Sequence, residues 1–390
     1  MTAADWIELE ESTQLKTYKK WPIPLVKAEG AWVEDVDGNR YLDLYGGHCV
    51  AFLGHNHPNV VAAIQDQADK ILFYSNAVYA PVRARASKLL SDLAPEGMDR
   101  VFFINSGAEA NEAAMKIARK ATGRTAMVAV EGDFHGRTLG ALATTWQAKY
   151  RAGYEDSFAP VHFVPFGDEE ATRRTILEIK PAAVIIEPIQ SMQGMRTASV
   201  SYFQALSAAC KEAESLLIMD EVQTGVGRTG KFTYSDLVGI EADMITLAKS
   251  LGGGVPVSAI LIRNEVADTV KFGEQGTTFG GGMLAMAAVE AALQVVVDED
   301  LSTKAVRIFD ELASGCDARG ISYQGAGCLM GIDFGQPVAP IVSGLRGRGI
   351  LVGGSSNPNI MRLMPPAVVS SDEITSFFTH LDSVLKEVNA

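Results

Sequence analysis

From about residue 60 to residue 270 the chain alternates short, uniformly apolar runs with longer amphipathic stretches. The runs "VFFINSG", "TAMVAV", "AAVIIEP", "LLIMDEV" and "MITLAK" have strand length, and "AEANEAAMKIARKATG" after the first has helical periodicity. A strand without polar alternation is buried on both faces. The pattern therefore predicts an α/β region, a mainly parallel sheet covered by helices. Ahead of it, residues 1–20 read as a helix or arm, and "GAWVEDVDGNRYLDLYGG" alternates around Asp37-Gly38, a hairpin turn signal. After about residue 280 a long helix, "GMLAMAAVEAALQVVVDE", leads to the strands "CLMGIDF", "ILVGG" and "IMRLMPP". A last helix opens on the capping-box pattern Ser370-x-x-Glu373. The expected organisation is an arm and hairpin over 1–58, a large domain over 59–275 and a smaller α+β domain over 276–390.

Composition narrows the function classes. A net charge of −13 argues against nucleic acid or an anionic membrane as the main partner. No apolar run approaches the roughly 18 residues of a membrane span, and the acidic start "MTAADWIELEESTQ" lacks the basic and apolar regions of a signal peptide. Cys49, Cys210, Cys316 and Cys328 are widely spaced, as expected of reduced residues in a cytoplasmic protein. His55 and His57 in "GHNHP" have no Asp, Cys or third His close in the sequence, so a polar loop is expected and no metal site.

Candidate chemistry gathers at strand ends. "ADMITLAKSLGGGVPVSA" puts Lys249 directly after a strand and before three glycines. Such a lysine is ordinarily solvated, but the carboxyl edge of an α/β sheet is where ligands bind. "LLIMDEVQTGVGRTG" puts Asp220 and Glu221 at another strand end, either capping a turn or holding a carboxylate in a dry pocket against a cation. About one strand–helix–strand step separates Asp220 from Lys249. In "VFFINSGAEANEAA" the Ser106 hydroxyl, Gly107 and the free N–H groups of a helix start suit a phosphate, although Ser-Gly turns also serve packing alone. "GDFHGRTLGA" supplies Phe134 and His135 and then Arg137: an aromatic that could stack on a ring or fill core, and a two-pronged carboxylate partner. A phosphate cradle, an acid and a lysine on one sheet edge suit pyridoxal phosphate, whose aldehyde bonds to a lysine and whose ring nitrogen pairs with an acid.

The ordered set "DVDGNRYLDLYGG", "LGHNHP", "NSGAEANEAAMKIAR", "FHGRT", "EPIQ", "DEVQTGVGRTG", "LAKSLGGG", "GTTFGG" and "IMRLMPP" resembles the class III, fold-type-I pyridoxal-phosphate aminotransferases, most of all their acetylornithine/ornithine branch. The resemblance implies a seven-stranded large-domain sheet and a ping-pong transfer from a small-molecule amino donor to a 2-oxo acid such as 2-oxoglutarate. It implies Lys249 as the cofactor's anchor and acid–base group, Asp220 as the ring-nitrogen partner and Gln223 near the phenolic oxygen. Phe134 becomes the stacking aromatic, with His135 beside it and Glu187 near the cofactor, while Ser106, Gly107 and Ala108 form the phosphate cradle. Thr278 would reach the phosphate of a neighbouring subunit, making a homodimer with shared active sites.

Departures from the family bear on substrate. Ornithine-type members read "EPIQGEGG" where this chain reads "EPIQSMQGM", so Met192 replaces a glutamate that masks an arginine, here Arg362. Methionine cannot pair with a cation, and Arg362 is expected to stay open to a substrate carboxylate. His48 in "GGHCVAFLG" replaces an Ile or Tyr of the pocket wall, and "GGGMLA" replaces "GGNPLA". Two other readings are a decarboxylating class III relative, separable by carbon dioxide release, and a protein that binds the cofactor without turnover.

Overall fold

The computed structural model describes residues 1–388. Strands β1 (Leu25–Glu29), β2 (Trp32–Asp35) and β3 (Arg40–Asp43) form the expected hairpin region. Asp35 closes its turn, with Oδ1 accepting from the N–H groups of Asp37 at 3.0 Å and Asn39 at 2.9 Å.

The central sheet comprises β4 (Arg100–Ile104), β5 (Met127–Val130), β6 (Val161–Val164), β7 (Ala183–Ile186), β8 (Leu216–Asp220), β9 (Met244–Leu247) and β10 (Ser258–Ile262). Their order is β4-β10-β9-β8-β7-β5-β6, and every pairing is parallel except those of β10. The apolar pattern singles out neither β6 nor β10. In β6, His162 lies exposed at the sheet's edge, which breaks the run. β10 follows β9 through a 3₁₀ turn and glycines, with no crossover helix, so it can only return antiparallel.

Alternate residues of these strands supply two cores. Met127, Ala129, Ile185, Ile218 and Met244 face Ala110, Ala114 and Ile117 of the helix Gly107–Thr122. Val128, Val130, Val184, Met219 and Ile245 face the other way, onto the core that holds Tyr202, Phe203 and Leu206. Both faces are dry, which is why β5, β7 and β9 carry no polar alternation.

The closing segment adds β11 (Ser322–Ala326), β12 (Leu329–Asp333), β13 (Ile350–Leu351), β14 (Gly353–Gly354) and β15 (Ile360–Leu363). Four of these make an antiparallel sheet, β11-β12-β15-β14, while β13 pairs with β3 and ties the hairpin region to the chain's end. The helix Met283–Asp298 packs on the helices Pro58–Lys70 and Pro81–Leu93. At the start of the last helix, Glu373 N–H donates to Ser370 Oγ at 3.3 Å and Ser370 N–H to Glu373 Oε2 at 2.8 Å. No helix among the described residues is long and apolar enough to cross a membrane.

Candidate active site

Their common direction brings the carboxyl ends of β4, β5, β7, β8 and β9 to one edge. A cavity of about 620 Å³ opens there, lined among others by Ser106, Phe134, Arg137, Asp220, Lys249 and His48. Lys249 stands two residues after β9 with φ +46°, at the start of the 3₁₀ turn Lys249–Gly252. Left-handed backbone at a non-glycine residue is kept where its surroundings over-determine it. Its amine makes no hydrogen bond or ion pair among the described residues. Burial pulls the amine below its ordinary range, outweighing Cys49, Asp220 and Glu187, which favour the charged form.

Asp220 ends β8 and is 4% exposed. Its Oδ2 accepts from Asn111 Nδ2 at 2.7 Å and lies 2.7 Å from His135 Nδ1, while Val222 N–H donates to Oδ1 at 3.1 Å. His135 Nε2 lies 3.5 Å from Asp133 Oδ2. Burial alone would depress this imidazole, but the two flanking carboxylates prevail and raise it to about 10. Asp220 therefore leans on an imidazolium. Glu187, just past β7, accepts Phe134 N–H at 2.7 Å. Burial, with Asp133 and Asp220 adding to it, raises its carboxyl well above the ordinary range.

Asn111, Asp133 and Thr246 are members of this cluster that sequence reasoning missed. Thr246 Oγ1 donates to Asn111 Oδ1 at 2.7 Å and so orients the amide toward Asp220. The available signal was a lone polar residue on the alanine face of its helix, beside Ala110 and Ala114. Glu221 turns away from this cluster. Its carboxylate accepts from the Tyr234 and Ser235 N–H groups at 2.5 and 2.9 Å, and burial raises it to about 7. The adjacent acids thus divide the two expected roles, one at the cavity and one capping the Tyr234–Val238 helix start.

Ser106 caps the helix Gly107–Thr122, accepting from Glu109 N–H at 3.3 Å, while Glu109 Oε2 accepts the N–H groups of Asn105 and Ser106 at 2.8 and 3.1 Å. The Gly107 and Ala108 N–H groups remain unpartnered among the described residues. Gly136, at φ +135°, lets the following loop close on this turn, since a Cβ there would meet Ala108 Cβ at 2.6 Å. Phe134 packs edge-on against Tyr150 with centroids 5.8 Å apart, and the Arg137 guanidinium lies 4.6 Å over the same ring. Gln223 does not line the cavity, and its Oε1 is buried without a partner. Thr278 is exposed and lies outside this chain's cavity.

Residues 13–385 match the model of the family "Aminotransferase class-III". The chain belongs to the class III aminotransferases. It is 40% identical to the acetylornithine aminotransferase of Methanopyrus kandleri, over 97% of this chain and 98% of that one. It is 38% identical to the acetylornithine aminotransferase of Bacillus subtilis, over 97% and 99%. Its fold superimposes with a TM-score of 0.93 on the Toxoplasma gondii ornithine aminotransferase, a structure with pyridoxal phosphate in partial occupancy at its active site. That match has 30% identity and covers 100% of this chain and 95% of that one. The protein is a pyridoxal-phosphate-dependent aminotransferase of fold type I. The site fits the cofactor: it has free helix-terminal amides, a carboxylate held by an imidazolium, an unpartnered amine and the orphaned Gln223 oxygen.

Around this aminotransferase's specificity residues the structure corrects one expectation. Arg362, in β15, does not stand open; it is 4% exposed. Its Nε donates to the Gly354 carbonyl at 2.6 Å, and its Nη1 to Ser191 Oγ at 3.0 Å and toward Met192 Sδ at 3.7 Å. No carboxylate is within ion-pair distance among the described residues. The missing glutamate is thus replaced by neutral acceptors, of which Ser191 was hidden beside the more conspicuous Met192. His55 and His57 each meet a carboxylate of another element. Their Nε2 atoms lie 2.8 Å from Asp43 and 2.9 Å from Glu299, the latter remote in sequence.

Proposed function

We propose that Lys249 anchors pyridoxal phosphate and carries the proton in amino transfer from a carboxylate-bearing, acetylornithine- or ornithine-like donor to a 2-oxo acid such as 2-oxoglutarate. The observation that carries this is the unpartnered Lys249 amine on the same sheet edge as Asp220 and the free Gly107 and Ala108 amides. Pyridoxal phosphate, when bound, supplies an aldehyde that captures amines and a ring that spreads the electrons left behind by a departing proton. Ser106, Gly107 and Ala108 hold its phosphate at the helix start. Asp220, oriented by Asn111 and His135, keeps the ring nitrogen protonated. Phe134 would cover the ring, with Glu187 holding the Phe134 N–H, and the resemblance puts Gln223 near the phenolic side. Lys249, with its depressed basicity, takes the proton from the amine-bearing carbon and returns it on the other side of the transfer. Arg137 grips a substrate carboxylate at the cavity, and Arg362 reaches one only by leaving its neutral acceptors Gly354 and Ser191.

Single-turnover absorbance measurements with glutamate, acetylornithine, ornithine and a monoamine test this, followed by addition of 2-oxoglutarate. Carboxylate-bearing donors should react, with no carbon dioxide released. Two charged hydrogen bonds are worth about 1.5–3 kcal/mol each, so Arg362→Ala should cost glutamate on the order of a hundredfold in kcat/KM. Met192→Glu should restore a carboxylate mask and move preference toward donors with a distal amine. An unchanged ranking in both variants overturns the arginine's role.

The active unit in this reading is a homodimer in which Thr278 serves the partner's cofactor. The exposed Thr278 next to exposed Phe279, whose ring centroid lies 5.1 Å from that of exposed Phe73, supports it, as an apolar surface calls for cover. Thr278→Ala should weaken cofactor retention. Sedimentation at assay concentration checks the assembly, and a fully active monomer excludes it. A cytoplasmic setting accords with four cysteines that are all free and buried.

A further inference from the structure

The loop after β8 drives a charge into the protein's interior. Val226 takes φ +63°, which a β-branched residue rarely adopts, and Gly227 follows at +88°. The loop is then pinned on two sides. Thr229 Oγ1 donates to the Thr224 carbonyl at 3.2 Å, and Cys328 N–H, from the turn between β11 and β12, donates to the Arg228 carbonyl at 2.9 Å. Backbone strain held in place this firmly is a mark of a functional position. Its outcome is that Arg228 is 0% exposed.

Arg228 has no carboxylate within ion-pair distance among the described residues. Its guanidinium lies 4.8 Å over the Phe52 ring and donates to neutral oxygens. Nη1 meets the Pro365 carbonyl at 3.3 Å, and Nη2 meets the Cys49 carbonyl at 3.3 Å and Ser250 Oγ at 3.2 Å. Nε is buried without a partner among the described residues. Guanidinium groups keep their proton in proteins, so the charge here has no counter-charge in contact. Stability alone would favour a neutral side chain of the same volume. The partners show what the charge serves. Ser250 follows Lys249 in its 3₁₀ turn, Cys49 lies in the turn after β3, and Pro365 follows β15, the strand of Arg362.

The groups facing Lys249 oppose one another. The Cys49 thiol, Asp220 after β8 and Glu187 after β7 favour a charged amine, and His135 stands behind Asp220. Burial and the Arg228 charge act against them. His48, on the same turn as Cys49, is pushed down to about 4 by burial and by the charges of Lys249 and Arg362, so it adds no charge at neutral pH. Lys249 has to be uncharged both to capture an aldehyde and to take a proton. We propose that Arg228 is a positioning residue that acts through Lys249: its buried charge opposes a second positive charge on the amine, and its bond to Ser250 fixes the turn that carries the amine. The inference rests on the reading of Lys249 above and adds to it the residue that keeps the amine ready.

Competitive acetylation of the full chain freed of cofactor tests this, since Lys249 lines a cavity open to a small reagent. Mass spectrometry of the peptide that contains Lys249 gives the pH midpoint of its reactivity, with Nα-acetyl-lysine as the standard. The wild-type midpoint should lie below that of the standard. Arg228→Gln should raise it by about one pH unit or more, which is about tenfold less free amine at any pH below both midpoints. Capture of added pyridoxal phosphate, followed by absorbance, should slow by the same factor there. Arg228→Lys keeps the charge, so its midpoint should stay near the wild-type value. A purely structural role would slow capture without moving the midpoint, so an unmoved midpoint in folded Arg228→Gln overturns the proposal. A wild-type midpoint equal to that of the standard overturns it as well. If Arg228→Gln does not fold, Arg228→Lys decides: a midpoint held below the standard supports the charge, and one risen to the standard ends it. If borohydride fixes the cofactor to a lysine other than Lys249, the reading of Lys249 falls, and the midpoints still judge what Arg228 does to that amine.

Discussion

Lys249→Ala should abolish amino transfer while leaving a folded protein. Acid–base catalysis by one positioned group is typically worth about 10²–10⁴-fold, and loss of the covalent anchor adds to it, so at least about a 10⁴-fold fall in kcat is expected. Borohydride reduction of the wild-type holoenzyme should fix the cofactor to the peptide that contains Lys249, and in the variant to no residue. Lys249→Arg should be equally inactive, because charge without a nucleophilic amine does not suffice. The structure separates this from misfolding. The Lys249 amine has no partner and burial disfavours its charge, so the cofactor-free variant should melt at no lower temperature than the wild type. Retained turnover, or a reduced cofactor found on another lysine, defeats the assignment.

The sheet edge was legible because strand chemistry is local. A short, mostly apolar run followed by Asp220, or by Ala248 and Lys249, announces both the strand and the end of it. What lay beyond reach was whatever depends on two distant elements meeting. Asp133 and Asp220 gain meaning only with His135 between them, and Asn111 only with Thr246 beneath it. The Asp43–His55 contact escaped notice because a hairpin strand end and a loop meet there only after folding. Arg362 was matched by motif, but its degree of exposure was set by Ser191 and Gly354, neither of which the motif encodes. Strand β10 escaped for a related reason. Its residues read as ordinary core, and its direction follows from a helix that is absent between it and β9.

Asp220→Asn should lower turnover by roughly 10²–10⁴-fold while keeping the cofactor bound through Lys249. Removing one partner from a buried charge pair costs about 3–5 kcal/mol, and here the stranded partner is the protonated ring nitrogen. Asparagine retains an oxygen where Asn111 and His135 meet the carboxylate, so the shape of the cluster is preserved. Its charge is not, and His135 reports the difference. In the wild type its imidazole is raised from an ordinary 6.5 to about 10 by Asp133 and Asp220, against the effect of burial. A raised histidine stabilises the fold fully below pH 6.5, and that contribution declines as pH climbs and is gone beyond about 10. With Asp220 neutralised, Asp133 alone supports the imidazolium at 3.5 Å, and the decline should be complete at a lower pH. Thermal melts of the cofactor-free proteins between pH 6 and pH 10.5 should therefore diverge most in the neutral to mildly alkaline range. Parallel melting curves across that range would mean that His135 does not owe its proton to Asp220, and undiminished turnover in the variant would remove Asp220 from the chemistry altogether.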